Sequence, residues 1–372
     1  MSIIYLQQNV LEAALERIRR LYREFPEVIV NFSGGKDSTV ILNLTLQVAE
    51  ECGRLPVHVL FIDQEAEWDM VITYIRQVMH DPRVFPLWFQ GPFKIFNASA
   101  SGDEWLHCWE AGKLWLREKE PHSIHDNPTR TDRFTALFEH LSHAWFGMTP
   151  RCHLAGVRCQ ESPGRMHGLG NCATYKDITW GTAAGKAWNQ YTFYPLYDWR
   201  WQDVWKAIHD HGWPYCGLYD AMYQYGIPIP NMRVSNVHHE TALKSLTFMQ
   251  ELEPVMWDKV TARVHGVNAV NQSALLYAVP KVLPWMFASW KEYRDHLLTN
   301  LITDPAIRTI FHRKFTAWEA LYIEEGLPPL YQCEIASLLV NDYHGTKYHT
   351  WEAAHGKLRK SWQCRQGAMQ HD

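Results

Sequence analysis

Residues 31–44 read NFSGGKDSTVILNL, and the reading of this stretch decides the fold. Before it runs Val28-Ile29-Val30, closing at Phe32, a short β-branched segment of the kind buried in a parallel sheet. After it, Val40, Ile41, Leu44 and Val48 recur at helical spacing. A strand that enters a helix through a glycine loop is one step of a parallel sheet, and such sheets bind ligands beyond the carboxyl ends of their strands. Gly34 and Gly35 let the backbone turn tightly and bring N–H groups close to an anion. A helix starting near Lys36 adds its partial positive charge. Lys36 has the reach for a phosphate oxygen, and Ser33 and Ser38 offer hydroxyl donors. The nucleotide P-loop needs Gly-Lys followed by Ser or Thr. Here Asp37 follows the lysine, and no other Gly-Lys pair precedes a hydroxyl residue. A kinase-like or GTPase-like loop is therefore not expected.

Outward from the loop, the spacing predicts a second strand over Val57–Ile62, ending in Asp63, a helix after Glu67, and a third strand over Val84–Trp88. Residues 97–150 read as an inserted, mostly helical and polar segment, and the sheet resumes at Cys152–Val157. The expected class is α/β, a doubly wound, mainly parallel sheet. Beyond about residue 215 helical patterns dominate, over Ser245–Val264, Trp290–Leu301 and Ile307–Ile323. The expected organisation is a nucleotide-binding domain over 1–215 and a mostly helical domain over 216–372.

Composition excludes several classes. With 47% apolar and 20% charged residues, the chain of 372 residues is globular rather than disordered. A net charge of −4 argues against a surface that clamps nucleic acid throughout, leaving room only for a local basic groove. No segment has the roughly 18 uncharged apolar residues of a membrane helix. The charged helical pattern of MSIIYLQQNVLEAALERIRR is not that of a secretory signal. Eight scattered cysteines without a CxxC pair read as reduced thiols, the expectation for a cytoplasmic protein.

Three motifs together carry a family resemblance. Ser33-Gly34-Gly35-Lys36-Asp37-Ser38 resembles the pyrophosphatase loop (PP-loop) of the adenine nucleotide alpha-hydrolase superfamily. Gly156-Val157-Arg158-Cys159-Gln160-Glu161-Ser162-Pro163-Gly164-Arg165 is similar to the G-x-R-x-x-E-S-x-x-R segment of phosphoadenosine phosphosulfate (PAPS) reductases and ATP sulfurylase small subunits. The run from Pro195 to Trp205, PLYDWRWQDVW, matches a third segment of the same two families; its helical stripe of Trp201, Val204, Trp205 and Ile208 reads as core. The chain as a whole resembles PAPS-reductase-like proteins of the immunoglobulin-binding regulator A type, which carry a C-terminal helical extension.

The resemblance implies a loop that holds the β- and γ-phosphates of ATP while the α–β bond is cleaved. It gives Lys36, Asp37, Arg158 and Arg165 catalytic roles. It assigns nucleotide binding to Ser33, Gly34, Gly35, Lys36, Asp37, Ser38, Asp63, Arg158, Glu161 and Ser162, and Mg²⁺ to Asp37 and Glu161. Arg158 and Arg165 are suited to the task as forks for phosphate or sulfate oxygens. Asp63 has two readings, a residue near the ribose or metal and a strand-end cap. The family also implies a ParB/sulfiredoxin-like protein partner. Readings as a sulfonucleotide reductase, or as a nucleotide-binding regulatory or defence subunit acting with a partner or on DNA, stay open. The reductase signature Glu-Cys-Gly-Leu/Ile-His is missing, and the nearest C-terminal cysteine, Cys364, has no neighbouring histidine.

Further constellations carry less. Cys152, Cys159 and Cys172 match no standard iron–sulfur or zinc spacing, so neither cofactor is expected. His140 with His143, and His238-His239-Glu240, read as solvated helix positions before metal ligands. Gly168–Ala173 fits a dinucleotide fingerprint in letters but does not follow a strand.

Overall fold

A computed structural model describes residues 7–97, 105–161, 174–183, 185–234, 246–264, 267, 282–302, 304–324, 326–339, 342, 345 and 348. It divides into two compact units: Met1–Ile95 with His107–Asn236, and Phe96–Leu106 with Val237–Asp372. The division falls at Asn236, past the change of texture near 215.

The first unit is built on a six-stranded sheet in the order β3-β2-β1-β6-β8-β7. Its strands are β1 (Glu27–Asn31), β2 (Val57–Ile62), β3 (Val84–Phe89), β6 (Arg151–Leu154), β7 (Gly181–Thr182) and β8 (Gln190–Phe193). All neighbours are parallel except the edge strand β7, which runs antiparallel to β8. β1 is central, with Val30 opposite Val59 on one side and Leu154 on the other. Its inner residues Val28, Ile29 and Val30 are buried, as expected of a strand with both faces covered.

α1 (Val10–Glu24) opens with Asn9 accepting from the Glu12 backbone N–H, and packs on α2 (Lys36–Glu51). α2 buries eleven of its sixteen residues, Lys36 and Ser38 among them, so the phosphate-loop helix is core rather than surface. α3 (Asp69–Met79) follows β2. β4 (Phe93–Phe96) and β5 (Trp105–Cys108) pair as a separate ribbon.

The predicted strands β1, β2 and β3 agree with the structure to within a residue or two. The strand expected over Cys152–Val157 is shorter, ending at Leu154, because the chain must turn there to bring Gly156 against α2. Among its described residues, the segment expected to be mostly helical is helical only in α4 (Phe134–Phe146). Between Trp109 and Arg133 it is a run of turns, held by buried Trp109 and Leu116 and by backbone pairing of Ile124 with β3.

α5 (Trp201–His211) and α6 (Leu218–Gln224) complete the unit. The second unit is helical in its described residues: α7 (Leu246–Leu252), α8 (Pro254–Arg263), α9 (Trp290–Asn300), α10 (Pro305–Glu324) and α11 (Tyr331–Leu339). The single helical pattern over Ser245–Val264 is split by Pro254, which suits a first helical turn and not a helix interior. Leu298, Ile302, Phe311, Phe315, Trp318 and Leu338 form this unit's core, and Tyr348 stacks on Trp318 at 3.8 Å. No helix among the described residues is long and apolar enough to cross a membrane.

Candidate nucleotide site

The glycine loop sits where β1 hands over to α2. Gly34 has φ +72°, a conformation L side chains rarely adopt, and a Cβ there would stand 3.0 Å from Val71 Cγ1. Gly35 is the N-cap of α2, and its carbonyl accepts from Ser38 Oγ at 2.8 Å and Thr39 Oγ1 at 3.1 Å. Ser33 and Ser38 hydroxyls lie 3.2 Å apart, and the Ser33 backbone N–H donates to Ser38 Oγ at 3.3 Å. The two serines therefore brace the turn from inside.

At the helix start two cations converge on one carboxylate. Lys36 Nζ lies 3.2 Å from Asp37 Oδ2, and Arg158 Nε donates to Asp37 Oδ1. Arg158 also donates through its Nη1 to Gln160 Oε1 at 3.2 Å, and its Nη2 lies 3.7 Å from Glu161 Oε1. Arg158 arrives from β6 because Gly156 passes against the first turn of α2. A Cβ on Gly156 would meet the Asp37 carbonyl carbon at 2.7 Å and its oxygen at 2.9 Å. Two distant motifs, SGGKDS and GVRCQES, thus close on one another through a glycine-to-backbone contact.

Lys36 is buried, and desolvation pushes its ammonium below the ordinary lysine value. The charge of Asp37 and the hydrogen bond to it pull the other way, while Arg158 and Arg233 lower it further. Two further groups meet this lysine, neither of which the sequence pointed to. Tyr219 from α6 takes the Lys36 backbone N–H on its hydroxyl at 3.0 Å and sets its ring 5.5 Å from Nζ. Met232 offers its carbonyl to Nζ at 3.4 Å. Trp205, read from sequence as core, backs Tyr219 in an edge-to-face contact at 5.1 Å. The PLYDWRWQDVW helix therefore supports the site from behind.

Asp63 is placed differently from a nucleotide ligand. It is fully buried, and its carboxylate accepts from Trp88 Nε1 at 2.8 Å, Gln90 Nε2 at 2.9 Å, the Glu65 N–H at 3.0 Å and Arg117. With protein donors on both oxygens it ties β2 to β3 and to the turns after Trp109, which corresponds to the structural reading of this residue. Ser162 and Arg165 lie outside the described residues, as do Cys172, His238, His239, Glu240, Cys364 and the Gly168–Ala173 stretch.

His140 and His143 both pack on the Trp188 ring, at 4.8 Å and 4.6 Å. Cys152 is fully buried and its thiol pKa is raised by that burial; that of Cys159 is raised by burial and then by Asp198. Neither is tuned as a thiolate nucleophile. Among the described residues no group of three or more His, Cys, Asp or Glu side chains is arranged to hold a metal ion.

Beside the loop lies a buried chain of polar groups. His153 bonds Asn31 Oδ1 through Nδ1 and Ser142 Oγ through Nε2, both at 2.9 Å, and Arg151 Nε donates to the same hydroxyl at 2.7 Å. The order Ser–His–Asn has the look of a hydrolytic triad. However, Ser142 is fully buried and already receives an arginine N–H, so the chain serves to fasten α4, β6 and β1 together. Burial, aided by the charge of Arg151, pushes His153 down to about 3, and the imidazole is neutral.

With this geometry established, comparison with known proteins gives the family. The phosphoadenosine phosphosulfate reductase domain model matches residues 27–225, more than half the chain. The chain belongs to that family. A domain of unknown function, DUF3440, matches residues 226–355. The uncharacterised protein YbdN of Escherichia coli K12 is 32% identical over 319 residues, spanning 80% of this chain and 77% of YbdN. Sulfate adenylyltransferase subunit 2 of Mycobacterium tuberculosis is 45% identical over 66 residues, 18% of this chain and 21% of that protein.

Among solved structures, PAPS reductase from Candida auris aligns over 64% of this chain and 99% of its own, at 14% identity and TM-score 0.35. FMN adenylyltransferase from Candida glabrata aligns over 58% of this chain and 64% of its own, under two thirds of its length, at 16% identity and TM-score 0.35.

Proposed function

We propose that the chain binds ATP at Ser33–Ser38 and cleaves it between the α- and β-phosphates, transferring AMP to an acceptor. An acceptor oxygen would attack the α-phosphorus. The bond from that phosphorus to the α–β bridging oxygen breaks, and pyrophosphate leaves with the electron pair. The observation that carries this reading is the convergence of Lys36 and Arg158 on Asp37 at the start of α2. Cations placed where a leaving pyrophosphate gathers charge are the main electrostatic lever on such a step. The Gly35 N-cap and the α2 N-terminus add backbone N–H groups on the same side.

The donor set fits Mg²⁺ as a companion of the nucleotide. That ion takes one or two carboxylates and completes its shell with phosphate oxygens and water. Asp37 would hold it, with Glu161 as the second carboxylate across Arg158; the ion would neutralise phosphate charge. The sulfurylase-like loop sequence and the raised Cys159 thiol weigh for ATP over a sulfonucleotide reduced by a cysteine.

The test uses full-length protein, Mg²⁺ and ATP labelled at the α- or γ-position, with sulfate, nucleic acid and cell extract offered as acceptors. Labelled AMP transfer and pyrophosphate release, both lost in Lys36→Met, are expected. Absence of both with every acceptor overturns the reading, and sulfite release from PAPS replaces it with the reductase.

A further inference from the structure

The segment after α6 leaves the body of the sheet and comes back to the phosphate loop. α6 stops at Gly226, whose φ is +90°, and the Ile227 N–H returns to the Met222 carbonyl at 3.0 Å. A single 3₁₀ turn, Ile229–Asn231, follows Pro228. It is fixed by Asn231 N–H to Pro228 O at 2.8 Å and Met232 N–H to Ile229 O at 3.2 Å. Met232 is buried, and its carbonyl accepts from Lys36 Nζ. The Val234 backbone then hydrogen-bonds the hydroxyl of Tyr219, the same oxygen that takes the Lys36 N–H.

Arg233 stands between these two anchors. Both its neighbours are pinned to the loop lysine or to the tyrosine that caps it, so its Cα has little freedom. Its side chain is exposed, and its charge acts on Lys36. Among the described residues no carboxylate pairs with it. Arg158 differs: it is buried and already bound to Asp37 and Gln160. A guanidinium carried on a held backbone next to the residue whose carbonyl meets a buried lysine, with no carboxylate on it among the described residues, suits an anion with several oxygens.

We propose that Arg233 is a phosphate-contacting residue of the nucleotide site, gripping the pyrophosphate portion of the bound nucleotide. The Pro228–Val234 segment is then the part of the site supplied from beyond residue 225, where the reductase-domain match ends and the DUF3440 match begins. Lys36 would exchange the Met232 carbonyl for a phosphate oxygen as the nucleotide enters. This inference rests on the nucleotide-site reading above and adds to it a residue from the second matched region.

The experiment is equilibrium binding of labelled ATP to the full chain, with AMP and inorganic pyrophosphate as competitors. It compares wild type, Lys36→Met, Arg233→Ala and Arg233→Lys. A hydrogen bond to a charged group is worth about 1.5–3 kcal/mol, so Arg233→Ala weakens ATP and pyrophosphate by about 10- to 100-fold. AMP binding stays within about two-fold, and Arg233→Lys recovers part of the loss, since it restores the charge but not the fork. If Arg233→Ala binds ATP as wild type does while Lys36→Met does not, the Arg233 assignment falls and the nucleotide site stands. Equal losses for AMP and ATP also overturn it, because they mark a general distortion. A wild-type chain that binds neither ATP nor pyrophosphate overturns both readings.

Discussion

Gly156 tests how the two motifs are joined. Substitution by alanine places a methyl 2.7 Å from the Asp37 carbonyl carbon and 3.0 Å from Asp37 Cβ, where ordinary contact begins at 3.4 Å. The start of α2 and the exit of β6 must therefore separate by about 0.7 Å, the shortfall of 2.7 from 3.4. Both partners are backbone, so no side chain can rotate away. Overpacking of this kind costs about 1–3 kcal/mol. At about 3 °C per kcal/mol for a domain of this size, Gly156→Ala lowers the melting temperature by about 3–9 °C. The displacement falls on the Asp37–Arg158 hydrogen bond, so ATP affinity drops with it.

Gly35→Ala is the matched control. Its added Cβ finds its nearest neighbours at 3.5 Å, Ser33 Oγ and Tyr219 OH, so it fits without a clash. It should cost about 1 kcal/mol or less in stability, as a cap change does. Nucleotide binding is expected to fall all the same, because the methyl crowds the N-cap of α2 between Ser33 Oγ and Tyr219 OH, inside the proposed phosphate loop. Thermal unfolding by circular dichroism and ATP binding on the same samples separate the two effects. A Gly156→Ala protein with wild-type melting temperature and wild-type ATP affinity refutes the argument that the motifs meet through this glycine.

Other outcomes follow from the buried charges. The Lys36 pKa is lowered on folding, so between that value and 10.5 the unfolded chain holds the extra proton and stability rises with pH. Phosphate binding needs the ammonium, so ATP affinity moves oppositely and falls across the same window. Calorimetry in buffers of different ionisation enthalpy should show proton uptake there, and Lys36→Arg should abolish it. For His153, lowered to about 3, the unfolded chain binds the extra proton below 6.5. Stability from this group is complete above 6.5 and falls by about 1.4 kcal/mol per pH unit down to about 3. Urea unfolding of His153→Asn should show a flatter acid limb than wild type; parallel curves would refute the neutral-imidazole reading. In the second unit, Arg294 is buried on Glu334 and Glu319; burial pushes Glu334 up to about 8 against the pull of Arg294, and Arg294→Met leaves this fully buried carboxyl without its partner. A loss of about 3–5 kcal/mol is expected, partly restored by adding Glu334→Gln, with urea midpoints as the measure.

The sequence by itself determined the sheet centre and the loop. β1 and β2 are buried on both faces, so they must be continuous apolar runs. A strand that ends in Gly-Gly-Lys at a helix start has few alternatives, and both properties are local enough to read in one dimension. It also determined that Arg158 belongs with Lys36 and Asp37, through motif resemblance rather than geometry.

Only the tertiary structure decided the rest. Between Trp109 and Arg133 the turns are pinned by long-range partners such as Asp63, Gln90 and the edge of β3; Gly112, Pro121 and Asn127-Pro128 are local helix breakers there, but they do not say where the turns dock. Asp63 could cap a turn or face a ligand until four protein donors were seen on its carboxylate. Tyr219, Met232 and Arg233 lie almost two hundred residues from Lys36 and carry no motif. A tyrosine hydroxyl or a backbone carbonyl can meet a loop lysine from any point in the chain. Only packing selects which one does, because burial of Lys36 makes each unsatisfied donor costly and leaves room for few partners.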